Sequence, residues 1–94
     1  MTVVCVDDHP IMLKGLTESV RQLLPDSNVR DFESADAALD FAIGNGCDVL
    51  ICEIELCGTD GLALAKKVKK LNPKVNIVLI FASELHAMLK VRKK

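Results

Sequence analysis

The 94 residues amount to 10.3 kDa, room for one hydrophobic core and none for a separate catalytic domain. Half are apolar and 27% are charged, which excludes a disordered or collagen-like chain. No apolar run approaches the roughly 18 residues of a membrane span, and no basic leader or cleavage site precedes the first apolar segment, so a soluble cytoplasmic protein is expected.

The net charge of −1 hides a division: residues 1–65 hold twelve carboxylates against Lys14, Arg21 and Arg30, a net −9, whereas residues 66–94 hold nine bases against Glu84, a net +8. The bases fall in two groups. Lys66, Lys67, Lys69, Lys70 and Lys74 suit the C-terminal end of a solvated helix, where cations complement the macrodipole, and Lys90 to Lys94 form a basic tail. With no Trp, no Tyr and three Phe, stacking platforms for bases are lacking, and no direct nucleic-acid contact is expected. The four cysteines stand at 5, 47, 52 and 57, without the paired spacing of zinc ligands. Cys5 and Cys52 read as buried thiols, and Cys57, in a loop, is the candidate for reactivity.

Thr2 to Val6 is a β-branched run that breaks at Asp7-Asp8, as a strand buried on both faces does at the sheet rim. His9-Pro10 starts a helix with Met12, Leu16, Val20, Leu23 and Leu24 on one stripe, ended by Pro25 to Asn28. Val29 to Glu33 reads as a short edge strand. Ser34 caps a second helix, with Asp36 in its first turn and Ala38, Leu39, Ala42 and Ile43 as its apolar face, and Gly44-Asn45-Gly46 stops it. Asp48 opens a central buried strand, Val49-Leu50-Ile51-Cys52, ending at Glu53. Gly58-Thr59-Asp60-Gly61 predicts a turn and cap before a third helix marked by Leu64, Val68 and Leu71, which Asn72-Pro73 closes. Val75 to Ala82 is the fourth strand, and Ser83-Glu84 begins a last helical stretch.

The order βαβαβαβα, with short right-handed crossovers, predicts an α/β doubly wound parallel sheet with helices on both faces. Ligands of such sheets lie beyond the strand C-termini, which is where Asp7, Asp8 and Glu53 fall. Three carboxylates at one rim repel one another unless a cation neutralises them, and an all-oxygen set suits a hard ion such as Mg2+.

The segments VDDHPIMLKGL and DVLICEIELCGTDGL resemble the receiver domain of bacterial two-component response regulators, in particular the LuxR/NarL-type branch, and the resemblance extends over all 94 residues. It implies a flavodoxin-like (CheY-like) sheet of strand order 2-1-3-4, with the family's fifth strand and its helix missing before Lys94. It also implies that Asp7 and Asp8 hold Mg2+, that Glu53 stands at the phosphoacceptor position, and that Glu55 supplies a metal-binding backbone carbonyl. Gly58 and Asp60-Gly61 match as they stand. Three functional positions depart from the family. Glu53 replaces its aspartate, Phe81 replaces the switch hydroxyl, with Ser83 two residues on, and the lysine of the fifth strand would lie beyond Lys94.

A glutamate carries its carboxylate one methylene, about 1.3 to 1.5 Å, farther out than an aspartate, and a misplacement of that size costs in-line phosphoryl transfer about 100-fold or more. The expectation is a degenerate receiver in phosphorelay signalling that is not an enzyme. It would act as a regulatory module through protein partners, either a second receiver or another regulator or histidine kinase, with no membrane contact. An apolar edge at Ile77 to Phe81 would promote that association. Two alternatives are a phosphoacceptor fragment of a LuxR-type transcriptional regulator and, from another class, a small Mg2+-dependent phosphatase or phosphotransferase.

Overall fold

A computed structural model describes residues 1–56 and 59–80 of the chain. Strand β1 (Thr2–Val6) lies in the middle of a four-stranded parallel sheet, flanked by β2 (Asn28–Phe32) and β3 (Val49–Glu53). Two short strands follow β3, β4 (Glu55–Leu56) and β5 (Thr59–Asp60), paired antiparallel with each other. The chain returns to the main sheet as β6 (Asn76–Ile80), giving the order β2-β1-β3-β6. With β6 as the fourth strand of the main sheet, this is the expected 2-1-3-4 arrangement. The β4–β5 ladder occupies the stretch read from sequence as a turn; two-residue strands are too short to carry a periodic hydropathy signal.

Helices α1 (Pro10–Leu23), α2 (Ala35–Asn45) and α3 (Gly61–Leu71) form the crossovers. Strand alternation divides β1 between two cores. Val3 and Cys5 pack with Leu13, Val20 and Val29 beneath α1. Val4 and Val6 pack on the opposite face with Leu50 and Cys52 against Ala35, Ala38 and Ala42 of α2 and Leu64, Ala65 and Val68 of α3. Residues from Val3 to Val6 are almost wholly buried, and each side chain of that size contributes about 1.5 to 3 kcal/mol. This double burial is why the sequence of β1 reads as an unbroken apolar run.

Several helix faces differ from expectation. In α1 the buried positions are Leu13, Thr17 and Val20, Met12 and Leu16 are half-buried, and Leu23 is 78% exposed. The hydroxyl of Thr17 donates to the Leu13 carbonyl at 2.7 Å, so a polar residue sits in the core with its hydrogen bond satisfied, and hydropathy alone passes over it. In α2 the small residue Ala35 joins the core while Ile43 is exposed, and Leu71 is exposed at the end of α3. Strand β2 begins one residue early, at Asn28, and β6 begins at Asn76. Phe81 and Ala82, the helix expected from Ser83, and Cys57 and Gly58 lie outside the described residues.

The boundaries follow local chemistry. Ser34 Oγ accepts the Ala37 N–H as the α2 N-cap, and Gly46, with φ of 80°, ends the helix in a conformation that side chains disfavour. Gly61 is required for space. A Cβ there would overlap the Glu53 carbonyl oxygen and come within 2.9 Å of Ile54 Cα and 3.1 Å of Cys52 Sγ. Its N–H donates to the Ile54 carbonyl at 3.0 Å, and the Ile54 N–H donates to the Ile80 carbonyl at 3.0 Å.

Two glycine substitutions are expected to have opposite effects. Gly61→Ala should destabilise the fold by about 1 to 3 kcal/mol through overpacking against backbone. Gly15→Ala, in α1 with no atom near the added methyl, should stabilise it by about 0.5 to 1 kcal/mol. Urea denaturation of the two variants measures both.

Candidate functional site

The C-terminal rim of the sheet gathers acidic side chains. The β1–β3 register pairs Val6 with Cys52, so one step on, Asp7 stands alongside Glu53 on adjacent strands about 4.8 Å apart. Among the described residues the buried polar or charged side chains are Asp7, Thr17 and Glu53, so both buried carboxylates lie at this one rim. Burying a carboxylate is costly unless other groups compensate its charge.

Each carboxylate is positioned by backbone. The Asp7 N–H donates to the Phe32 carbonyl at 3.2 Å, prolonging the β1–β2 ladder by one residue. Glu53 pairs with Ile80 in the β3–β6 ladder, and its carbonyl is backed by Gly61. Asp8 then leaves the sheet, half-buried, and His9 becomes the N-cap of α1 in extended conformation, with Pro10 opening the helix.

His9 completes a cluster that the sequence reading did not include. Its backbone N–H donates to Asp7 Oδ1 at 2.9 Å, and its ring Nδ1 lies 3.0 Å from the same oxygen and 3.1 Å from Asp8 Oδ1. The ligand atoms of Asp7, Asp8 and His9 all lie within 4.8 Å of one another. Glu53 is not a member of that tight group, but its charge acts on His9. The missed signal was the position of His9, immediately after the acidic pair where the chain turns from strand to helix. Glu55 lies in β4, and Phe81 and Ser83 lie outside the described residues.

The acids raise the proton affinity of His9 above its ordinary value of 6.5, first through the Asp7 hydrogen bond, then through the charge of Asp8, with a further contribution from Glu53. Elsewhere, burial pushes the thiols of Cys5 and Cys47 up to about 11, so both stay protonated and inert at neutral pH. Cys52 is fully buried, as expected for Cys5 and Cys52 alike.

Because the folded value for His9 exceeds the unfolded one, its ion pair contributes stability that is complete below pH 6.5 and is lost as pH rises through the folded value. An NMR titration of the imidazole should give a midpoint above 6.5, and Asp7→Asn should lower it; an unchanged midpoint would show that Asp7 does not hold the ring.

Comparison with known proteins agrees with this geometry. The chain matches the family model for the response regulator receiver domain over residues 3–92. The transcriptional regulatory protein RcsB of Escherichia coli is 30% identical over 92 residues, which cover 95% of this chain and 43% of RcsB. The chain therefore spans less than half the length of this curated relative. Among solved structures, the response regulator TrrA of Thermotoga maritima in complex with Mg(2+)-BeF superposes with a TM-score of 0.76 at 26% identity, over 86% of this chain and 69% of TrrA. TrrA in complex with the histidine kinase ThkA gives a TM-score of 0.74 at 26% identity, over 86% and 68% of the two chains. With the sheet order, the acidic rim and the family match in agreement, this chain belongs to the response regulator receiver domains.

Proposed function

We propose that this receiver domain works as a regulatory interaction module of two-component signalling that does not depend on phosphorylation at position 53. The observation that carries this is the glutamate itself: Glu53 ends β3 and is buried to 2% exposure, at the position where the family resemblance puts the phosphoacceptor aspartate. Its extra methylene moves the carboxylate about 1.3 to 1.5 Å along the side chain. Phosphoryl transfer relies on in-line positioning and charge neutralisation, so that displacement is enough to suppress it. A fixed carboxylate also supplies part of the negative charge that a phosphoryl group would bring, without its three acceptor oxygens. This supports a site held in one signalling state.

The donor set fits a hard divalent cation. Asp7 and Asp8, with their ligand atoms clustered, the neighbouring Glu53 and the backbone carbonyl of Glu55 would hold Mg2+ through oxygens alone. The TrrA complex with Mg(2+)-BeF, a relative with the same fold, supports this assignment. Bound there, the ion would neutralise the carboxylates and polarise any phosphoryl donor. The residues of this chain would bind and orient the ion, and Glu53 would keep its longer side chain where an attacking aspartate would stand.

Output runs through protein contacts. Among the described residues Val78 of β6 is an apolar side chain 48% exposed on the sheet, which suits contact with a second receiver. A histidine kinase is the alternative partner, as in the TrrA–ThkA complex. RcsB is a transcriptional regulatory protein, and that kinship supports the second reading, a phosphoacceptor receiver that controls a DNA-binding partner domain.

Incubation with acetyl phosphate and Mg2+, followed by intact-mass measurement, separates the two readings. No gain of phosphoryl mass is expected in the native chain, and a stable gain localised to Glu53 would reject phosphorylation independence. Sedimentation analysis addresses the contact at Val78. Self-association should be insensitive to ionic strength and be weakened by Val78→Lys; an association abolished by salt and indifferent to Val78 would assign the contact to the opposed charge halves instead.

A further inference from the structure

At the end of the sheet opposite the acidic rim, a cavity of about 190 Å3 opens between the C-terminal ends of α2 and α3. Ala42 and Ile43 line it from α2 and Val68 and Leu71 from α3, with Cys47 and Asn72 on the segments that lead into β3 and β6. The polar side chains of this lining are already engaged. The Cys47 thiol donates to the Val49 carbonyl at 3.3 Å, and Asn72 Nδ2 donates to the Cys47 carbonyl at 2.9 Å while Asn72 Oδ1 accepts the Lys74 N–H at 3.1 Å. Such a cavity favours an apolar group. A space of about 150 Å3 accommodates a benzene ring, whereas drug-sized ligands fill about 300 to 1,000 Å3, so this one has the dimensions of a single leucine or phenylalanine side chain. Ile43 and Leu71 are 62% and 51% exposed, which carries the apolar lining onto the surface of both helices.

The two helices differ in charge. Lys66, Lys67 and Lys70 are exposed on α3 and Lys74 just beyond it, whereas α2 presents Asp36 and Asp40. One helical turn separates Lys67 from Leu71 and Asp40 from Ile43, so each charge borders the apolar opening on its own helix. Cations in the last turn of a helix complement its dipole, an effect that fades beyond that turn; Lys69 and Lys70 lie in it, and Lys66 and Lys67 do not. Among the described residues no carboxylate lies within ion-pair distance of these lysines. A flat anionic membrane would set its headgroups against Asp36 and Asp40 as well as against the lysines, at a cost. A helix can turn an acidic flank to α3 alone.

We propose that the α2–α3 cavity is a docking site for an amphipathic helix of a partner protein, which inserts one leucine or phenylalanine between Ile43 and Leu71 and directs an acidic flank toward Lys67 and Lys70. A buried apolar anchor supplies much of the binding energy of such a contact, and the flanking charges select the partner and its orientation. The contact is remote from position 53. It also lies on the sheet face opposite Val78, which pairs with Ile51 on the α1 side, so it goes beyond the pairing with a second receiver and does not depend on it.

The test uses a fluorescent synthetic helical peptide with a leucine on its apolar face and glutamates along one flank. One control carries lysines in place of the glutamates, and a second carries alanine in place of the leucine. Fluorescence anisotropy with the full chain should show the acidic peptide bound at least about tenfold more tightly than either control, with amide chemical shifts centred on Ile43, Val68 and Leu71. Ile43→Ser and Leu71→Ser, at exposed positions where folding tolerates replacement, should each weaken that binding several-fold. The double variant Lys67→Glu with Lys70→Glu leaves the cavity lining intact and should reverse the preference toward the lysine peptide. Lys14→Glu, on α1, should change neither affinity. Absence of binding by the acidic peptide, equal binding of both charged peptides, or binding indifferent to the leucine would overturn the proposal. Shifts at Ile43 and Leu71 that grow with chain concentration alone would give the surface to a second copy. Binding to phosphatidylglycerol vesicles that is lost in the Lys67→Glu, Lys70→Glu variant would give it to a membrane, and either result would overturn the helix as occupant.

Discussion

The acidic rim of this domain depends on the parallel pairing of β1 with β3. Val3, Val4, Cys5 and Val6 run in register with Val49, Leu50, Ile51 and Cys52, and a slip of one residue would exchange the contents of the two cores. Holding that register leaves Asp7 and Glu53 together where the strands end, both buried. The apolar cores on the two faces of the sheet are therefore what enforce the proximity of the two acids. The hydrophobic free energy of the domain offsets an electrostatic arrangement that would not form by itself.

Much of this was legible in the sequence because a strand covered on both faces cannot hide its pattern. Thr2–Val6 and Val49–Glu53 were delimited to the residue, and the acids at their C-terminal ends were placed at one rim from topology alone. The Ser34 cap was legible as well, since a hydroxyl in front of an apolar helix has a specific backbone donor to satisfy. Helix faces were less so. Thr17 is buried by virtue of one internal hydrogen bond, and Ala35 by virtue of its small volume, whereas Ile43 and Leu23 project from helix ends into solvent. Which side of a helix meets the sheet is decided by packing, and residue polarity reports that only on average.

The site was legible in its acids and not in its histidine. A side chain that is mostly exposed and follows two carboxylates in sequence gives no periodic signal. Its place beside them depends on the turn from strand to helix, where His9 is extended while Pro10 is already helical. Likewise the match of Gly61 to the family pattern gave its position and not its purpose. Its φ is not in the left-handed region, so the constraint is the contact with Glu53 and Ile54, a tertiary fact.

That contact also determines how the domain accommodates a longer side chain at the end of β3. The main chain there is clamped from two directions, by β6 through the ladder to Ile80 and by the start of α3. Those contacts oppose a retreat of the main chain that would return the carboxylate to the depth an aspartate would reach. The surplus length must be taken up by the torsions of Glu53 alone, within a space closed to water. Position 53 is thus a lever with a fixed fulcrum, and the headgroup it presents is set by rotamer choice and not by adjustment of the sheet.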